Sequence, residues 1–369
     1  MVTEQPVIRI FDGQGKFIDW LRAPKSARIT PRWLEVGDAE LELQLTDPRA
    51  DVLRQPGARV KISLRGEHIL GGPVTSWEMN GPVDAAWTFN VTDDSAILDR
   101  LLCLPDPSKP LDQQPASPIT RTGRLESVVK ELVRQNAPVL GVPVDIVQDQ
   151  GRGPNVSLSA RWQPLSDVVA GSLRAAQMGV SVIWREETNR LQFDVTTPRT
   201  YPIQLSEQSR TVTSYGVSVQ APTATRVYLG PADGTVYRSA TNEAVEDAWG
   251  PFLRAGTFRS AANTDEASTA GTEALNEGNA KSGLSVSLSE TSYVHYGGQD
   301  GLHVGDLATL RVGDVTITDI VREAVIEWAA DKALTITPAV GAWENSPVFA
   351  LTSAIQRIAA TVRRVQTRR

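Results

Sequence analysis

Few side chains in this sequence are suited to chemistry. Three histidines, His68, His295 and His303, and a single cysteine, Cys103, accompany 43 acidic residues. The densest grouping lies in SYVHYGGQDGLHVGD, which holds His295, Asp300, His303 and Asp306. Imidazole and carboxylate together can bind zinc or iron. The spacing matches neither H-x-x-x-H nor H-x-D, however, and a glycine-rich hairpin loop with polar tips accounts for the stretch better. One cysteine permits no intrachain disulfide and no thiolate metal cluster.

Other chemistries fare no better. The serine-bearing stretches GVSVQ and GLSVS lack the second glycine of a nucleophile elbow. GQGKF and GRGPN lack the third glycine, or the Gly-Lys-Ser/Thr ending, that would aim amides at a phosphate. A glycosidase needs only two carboxylates at a set separation, which so many acidic residues could supply by chance; solvated strand faces are the simpler explanation. Nine tryptophans could stack on sugars, but Trp33, Trp77, Trp87 and Trp184 lie in alternating strands, where core packing is the commoner role. No catalytic, cofactor-binding or metal residue is assigned, and no cofactor is expected.

The elements that would position any site are mostly strands. VIRIF and KFIDWL flank the turn Asp12-Gly13-Gln14-Gly15, ELELQL alternates Leu41, Leu43 and Leu45 with polar residues, and RVKISL repeats the pattern. PVTSWEM and AAWTFNVT complete an antiparallel barrel or sandwich over 1–104. DDSAILDRLL is a short helix capped by Asp93 or Asp94. The Pro-rich, aperiodic residues 105–118 form a linker. An α+β domain follows at 119–204, with one helix on Leu125, Val128, Val129, Leu132 and Val133, and another opening at Pro164. Strands resume over 205–342 as a second β domain, interrupted by TDEASTAGTEALNEGNAKSG, whose small residues would bury little as a helix. The fold class is mainly β with an α+β insert.

The last element is a predicted amphipathic helix at 346–369, with Ser346 as N-cap and Pro347 in the first turn. Val348, Leu351, Ile355, Ile358, Val362 and Val365 recur with alternating steps of three and four, a heptad seam for self-association or a partner. The seam spans about two and a half heptads, fewer than the roughly three to four of a secure coiled coil, so docking on its own body stays open. Arg357, Arg363, Arg364, Arg368 and Arg369 lie outside the stripe or at the helix end, where a polyanion is a third option.

Composition sets the outer bounds. The 369 residues carry a net charge of -6, 41% apolar and 22% charged residues, and a mean hydropathy of -0.21. That describes a folded chain of two or three domains. No stretch approaches the roughly 18 apolar residues of a membrane span, and MVTEQPVIRI lacks the features of a signal peptide, so synthesis in a cytoplasm is expected. Only seven of the 37 basic residues are lysine, a bias that a GC-rich genome would produce.

Taken together, GARVKISLRGEHILGGPVTSWE, DDSAILDRLLCLPDP before a Pro linker, and GLHVGDLATLRVGDVTITDIVREAVIEW carry a resemblance. Over residues 5–345 the chain resembles the baseplate-hub, or tail-tip hub, proteins of tailed phages, in particular minor tail proteins of siphophages infecting actinobacteria. The resemblance implies two tail-tube-like antiparallel β-barrel domains per chain and a homotrimeric ring whose pseudo-sixfold face meets the hexameric tail tube. It implies a virion structural protein of the tail tip, made in the host cytoplasm and helping to gate DNA passage. Its partners would be itself, a distal tail protein or tail-tube hexamer, other tail-tip proteins and the tape measure, with DNA met only in the channel. Some hubs continue into a peptidoglycan-degrading domain or a spike; this chain is expected not to be an enzyme. The rival functions are a tail-associated cell-wall hydrolase and a host-glycan-binding tail module.

Overall fold

The computed structural model describes residues 5–340 apart from 23, 83–84, 142, 207–210, 232–236, 259–263, 280, 289–290, 292–293, 313–314 and 331. The predicted helix at 346–369 and its whole seam lie outside the described residues. Contacts divide the chain into two compact units. One holds residues up to 200 together with 288–306 and 321–338; the other holds 201–287, 307–320 and, among the described residues, 339–340.

The first unit opens with β1 (Val7–Phe11), β2 (Phe17–Leu21), β3 (Ser26–Thr30), β4 (Asp38–Gln44), the short helix α1 (Arg49–Leu53), β5 (Arg59–Leu64), β6 (Glu67–Asn80) and β7 (Ala86–Thr92). Alternation in the sequence becomes burial for Leu41 and Leu43 in β4 and for Val60, Ile62 and Leu64 in β5, whereas Leu45, expected on the same face, lies just past the end of β4 and is exposed. In the β1–β2 turn the Asp12 carboxylate accepts the amides of Gln14 and Lys16, both at 2.9 Å, which is why Asp opens that turn. The strands pair antiparallel in the order β3-β4-β7-β6-β5-β1-β2. The long β6 serves two ladders, pairing β5 through Pro73 and β7 from Val74 onward. Gly72 sits at this crossing, where a Cβ would run into the carbonyl of Thr92.

Asp93 then caps a turn of 3-10 helix, its carboxylate accepting the Ser95 amide at 2.8 Å, and α2 (Ile97–Arg100) follows. Residues 105–118 carry a single 3-10 turn, Leu111–Gln113, with Leu111 exposed. Next come β8 (Ile119–Arg124), α3 (Leu125–Asn136), β9 (Val144–Ile146), β10 (Asn155–Ala160), α4 (Leu165–Ala175), β11 (Gly179–Arg185) and β12 (Arg190–Thr196). Helix α3 buries Leu125, Val128, Val129, Leu132 and Val133, the stripe its sequence predicts. At its end the buried Asn136 amide donates to Leu132 O at 2.8 Å and its oxygen accepts the Leu104 amide at 3.0 Å. Phe11, Ile97, Leu101 and Cys103 share one buried cluster with Leu125, Val129, Leu165 and Phe193. Burial pushes the Cys103 thiol up to about 11, so it packs as a small apolar group.

The second unit contains β13 (Leu205–Ser206), β14 (Val212–Gln220), β15 (Arg226–Pro231), β16 (Arg238–Thr241), α5 (Glu243–Trp249), β17 (Leu253–Phe258), α6 (Thr264–Glu277) and β18 (Lys281–Leu288) up to residue 287. They are followed by β19 (Leu307–Val312) and the start of β20 (Val315–Ala329); β21 (Lys332–Val340) ends in this unit. β15 pairs antiparallel with β16 and parallel with β17, and β13 pairs parallel with β19. The doubtful Ala-rich stretch is a helix after all. Ala267, Ala270, Ala274 and Leu275 pack with Val227 and Leu229, and a Cβ on Gly271 would lie 2.8 Å from Ala240. Small residues here bring helix and sheet close together instead of failing to bury surface.

The expectation of two closed antiparallel barrels is corrected by these pairings. The molecule is mainly β, but the first ladder stays open at β2, which pairs only with β1 among the described residues. The second unit adds α5 and parallel pairs that the strand reading of 205–342 did not include, besides the helix α6 in its Ala-rich stretch. Among the described residues no helix is long and apolar enough to cross a membrane.

Candidate functional site

The glycine-rich loop that drew attention in the sequence is tied down by charge. Asp306, 5% exposed, accepts two bonds from Arg199, Nε to Oδ1 at 3.0 Å and Nη2 to Oδ2 at 2.7 Å. The same guanidinium donates to the carbonyls of Gly301 at 2.6 Å and Gln299 at 3.1 Å, and meets His303 Nδ1 at 2.8 Å. The other ring nitrogen of His303 contacts Glu67 at the start of β6. Asp306 Oδ2 also accepts the His303 amide at 2.8 Å. Burial favours the neutral imidazole, but Asp306 and Glu67 outweigh it and hold the His303 pKa above its ordinary value. For Asp306, burial raises the pKa while His303 and Arg199 lower it further, leaving the carboxyl below the usual range.

Of the four residues weighed as a metal cluster, the structure brings His303 and Asp306 together, while Asp300 is exposed and His295 joins the loop through its carbonyl, which accepts the Leu302 amide at 2.8 Å. A guanidinium occupies the position a cation would need. Among the described residues no three His, Cys, Asp or Glu side chains converge as a metal site would. His68 is held neutral, with its pKa lowered to about 4 by burial and by the nearby Lys61 and Arg185 charges. Arg199, Asp306 and His303 together fasten the loop.

Trp33 explains the glycines around this clasp. A Cβ at Gly305 (φ 95°) or at Gly179 would overlap its indole ring, so both positions require close backbone approach. The soft motif Gly305-Asp306 therefore combines a packing glycine with a clasped carboxylate. Arg199, Glu67 and Trp33 were missed in the sequence because they lie far along the chain from the loop.

A second charged group was also missed. Glu126 and Lys130, both fully buried on α3, form an ion pair at 2.7 Å. Arg152 reaches Glu126 at 2.8 Å, and Asp194 lies 2.7 Å from Lys130 and 3.1 Å from Arg152. The Glu126 carboxylate also accepts the amides of Gln150 and Arg152. Arg152 is the chief cause of a Glu126 pKa far below the carboxylate range, against the opposing effect of burial. The i, i+4 spacing of Glu126 and Lys130 is the only trace of this network in the sequence.

The exposed surface has a different chemistry. Residues 75–80 of β6 are exposed on both faces, so Trp77 is 47% and Met79 57% exposed, contrary to the core role expected for Trp77. Trp77 meets the half-buried Trp87 edge-on at 5.6 Å, and the Arg54 guanidinium lies 4.6 Å from the Trp87 ring centre and 5.9 Å from that of Trp77. Trp184 does belong to the core, packed edge-on against Phe11 at 4.8 Å. Tryptophan and methionine on an exposed strand, with the arginine that ends α1 beside them, are the residue types enriched at protein interfaces.

The family model for siphovirus ReqiPepy6 Gp37-like protein matches residues 7–342. The chain belongs to that family. Its fold resembles the 43 kDa tail protein of prophage MuSo2 from Shewanella oneidensis, with TM-score 0.58, 12% identity, and coverage of 90% of this chain and 98% of the other. It also resembles a tail protein from Neisseria meningitidis MC58, with TM-score 0.57, 10% identity, and coverage of 92% and 98%. A third likeness is prophage tail protein gp18 from Listeria monocytogenes EGD-e, with TM-score 0.52, 12% identity, and coverage of 95% and 98%. Among curated proteins no sequence relative matches.

Proposed function

We propose that this chain is a structural, non-enzymatic hub of a siphophage tail tip, assembling as a homotrimeric ring that joins the tail tube to the tip and helps gate DNA passage. The observation that carries the reading is the family match across 7–342, supported by a fold shared with three tail proteins. The clasped loop and the buried ion network make the first unit a firm scaffold, and Trp77, Met79 and Arg54 offer it a contact surface. Partners are further copies, a distal tail protein or tail-tube hexamer, other tip proteins and the tape measure, in the virions of phages of actinobacteria. The seam Val348, Leu351, Ile355, Ile358, Val362 and Val365 strengthens the trimer or docks a tip protein. The division into 1–104, 119–204 and 205–342 is part of the same reading.

Native mass spectrometry with electron microscopy of the purified chain tests it: a three-copy ring is expected, and a monomer at high micromolar concentration overturns self-assembly of the trimer. Truncation after Pro347 should weaken self-association or partner docking while both units stay folded. The exposed Trp77, packed edge-on against the half-buried Trp87, favours one second reading, a host-glycan contact. A glycan-binding screen with Trp77→Ala as control decides it, since binding that survives the substitution removes that reading.

A further inference from the structure

The three-stranded sheet β11-β12-β9 ends at β9, which among the described residues pairs only with β12, in parallel. The amide of Leu191 donates to Pro143 O and the amide of Val147 donates to Phe193 O, each at 3.0 Å. In a parallel ladder this register turns the amide and carbonyl of Asp145 toward β12 and those of Val144 and Ile146 away from it. No hydrogen bond reaches the outward main-chain groups of Val144 or Ile146 from elsewhere among the described residues. This is an open sheet edge, with its donors and acceptors spaced to receive another strand.

That edge forms one wall of a cleft of about 590 Å³, and Arg134, Ala137 and Pro138, from the end of α3 and the turn after it, form the other. Val139 and Leu140 follow in the same turn and are exposed at 54% and 38%. Arg190 at the cleft is paired with Asp145 at 2.7 Å. Arg134 is exposed and has no ion pair or hydrogen bond among the described residues. The cleft therefore offers unpaired backbone, apolar side chains nearby and one uncompensated positive charge.

We propose that this cleft is a strand-addition site for an extended, carboxylate-bearing segment of a partner protein. Main-chain bonds to Val144 and Ile146 would hold the segment, and Arg134 would select an acidic side chain on it. Charge disfavours the chain's own end as occupant, because Arg357, Arg363, Arg364, Arg368 and Arg369 would meet Arg134. The inference goes beyond the tail-tip reading and does not depend on it.

The probe is a short fluorescein-labelled peptide alternating valine and glutamate, added to the full chain, with fluorescence anisotropy for binding and hydrogen exchange for location. Saturable binding is expected, with slowed exchange of the Val144 and Ile146 amides. Arg134→Glu should weaken it by at least about tenfold, and the same peptide with lysine in place of glutamate should not bind. Val144→Pro removes one outward amide without touching the ladder to β12 and should also weaken binding. If that variant misfolds, a peptide N-methylated at alternate amides makes the same test on the unaltered chain. Equal binding of the acidic and basic peptides, protection confined to other residues, or no binding at about 1 mM overturns the proposal. So does slow exchange of both amides without peptide: at every chain concentration it means that the chain's own segment fills the cleft, and on raising the concentration that a second copy does.

Discussion

Protonation of Asp94 should stabilise the first unit as the pH falls from neutral. Its carboxylate is 4% exposed and meets a single guanidinium, Arg59 Nη2, at 2.5 and 2.7 Å, while Arg59 also lies 5.0 Å from the Trp184 ring centre. Burial pushes the pKa from 3.8 up to about 6, Arg59 pulls it down, and neighbouring Asp93 pushes it up again. A raised folded-state pKa means that the folded protein holds the proton more tightly than the unfolded chain. The contribution is thus complete below the unfolded value and is lost as the pH rises through about 6. At about 1.4 kcal/mol per pH unit the full effect is about 3 kcal/mol, and roughly 2 kcal/mol of it falls between about pH 7.5 and 4.5. Asp94→Asn replaces the acid with a permanently neutral isostere, so the variant should lack this gain. Urea unfolding followed by tryptophan fluorescence across that range measures both proteins, with Trp184 beside the group. Curves that run parallel from neutral to acidic pH would refute the reasoning, because no proton would then be taken up on folding at this site.

Glu126→Gln should destabilise by about 3–5 kcal/mol at neutral pH, since Lys130 and Arg152 would be left to share Asp194. The lowered pKa of Glu126 places its contribution above the unfolded value of 4.5 and removes it as the pH falls, so the penalty in urea unfolding should shrink in acid. Gly305→Ala forces a Cβ toward Trp33 at a positive φ and should cost roughly 2–4 kcal/mol; a smaller loss in a Trp33→Leu background would identify the ring as the cause. Arg199→Ala should speed hydrogen exchange at Gly301 and Leu302 while leaving β1 to β7 protected, because the guanidinium fastens the loop carbonyls. Trp77→Ala should change stability by no more than about 0.5 kcal/mol yet weaken assembly, as read by unfolding and native mass spectrometry together.

Local periodicity made most elements legible. The alternation in β4 and β5 and the stripe on α3 needed only side-chain spacing, and each lies buried as that spacing implies. Asp12 and Asp93 were legible as turn and cap residues because their bonds close within a few positions. Where the sequence misled, the deciding contact came from far along the chain. Trp77 follows a core alternation, but its part of β6 extends with both faces exposed. Ala267, Gly271 and Ala274 look too small to matter until Val227 and Leu229 lie against them. In the loop, His303 and Asp306 could be singled out, but Arg199 and Glu67, which convert them from ligands into a clasp, carry no local signal. The open cleft beside β9 was equally silent, since which strand ends a sheet depends on pairing order rather than on composition.

The pairing of β3 has a consequence for how the chain is made. Ile29 on β3 lies opposite Ile326 on β20, roughly 300 residues further on, so one side of β3 has no partner until almost the whole chain has been synthesised. During translation the first unit would carry a strand edge of buried-type residues, Ala27 and Ile29, that residues 326–329 cover in the folded chain. A chain cut short before that point would keep the edge bare and be prone to aggregation. In a particle built from several copies, this late closure would act as a check on length: only chains translated through β20 lose their aggregation-prone edge and remain available for assembly.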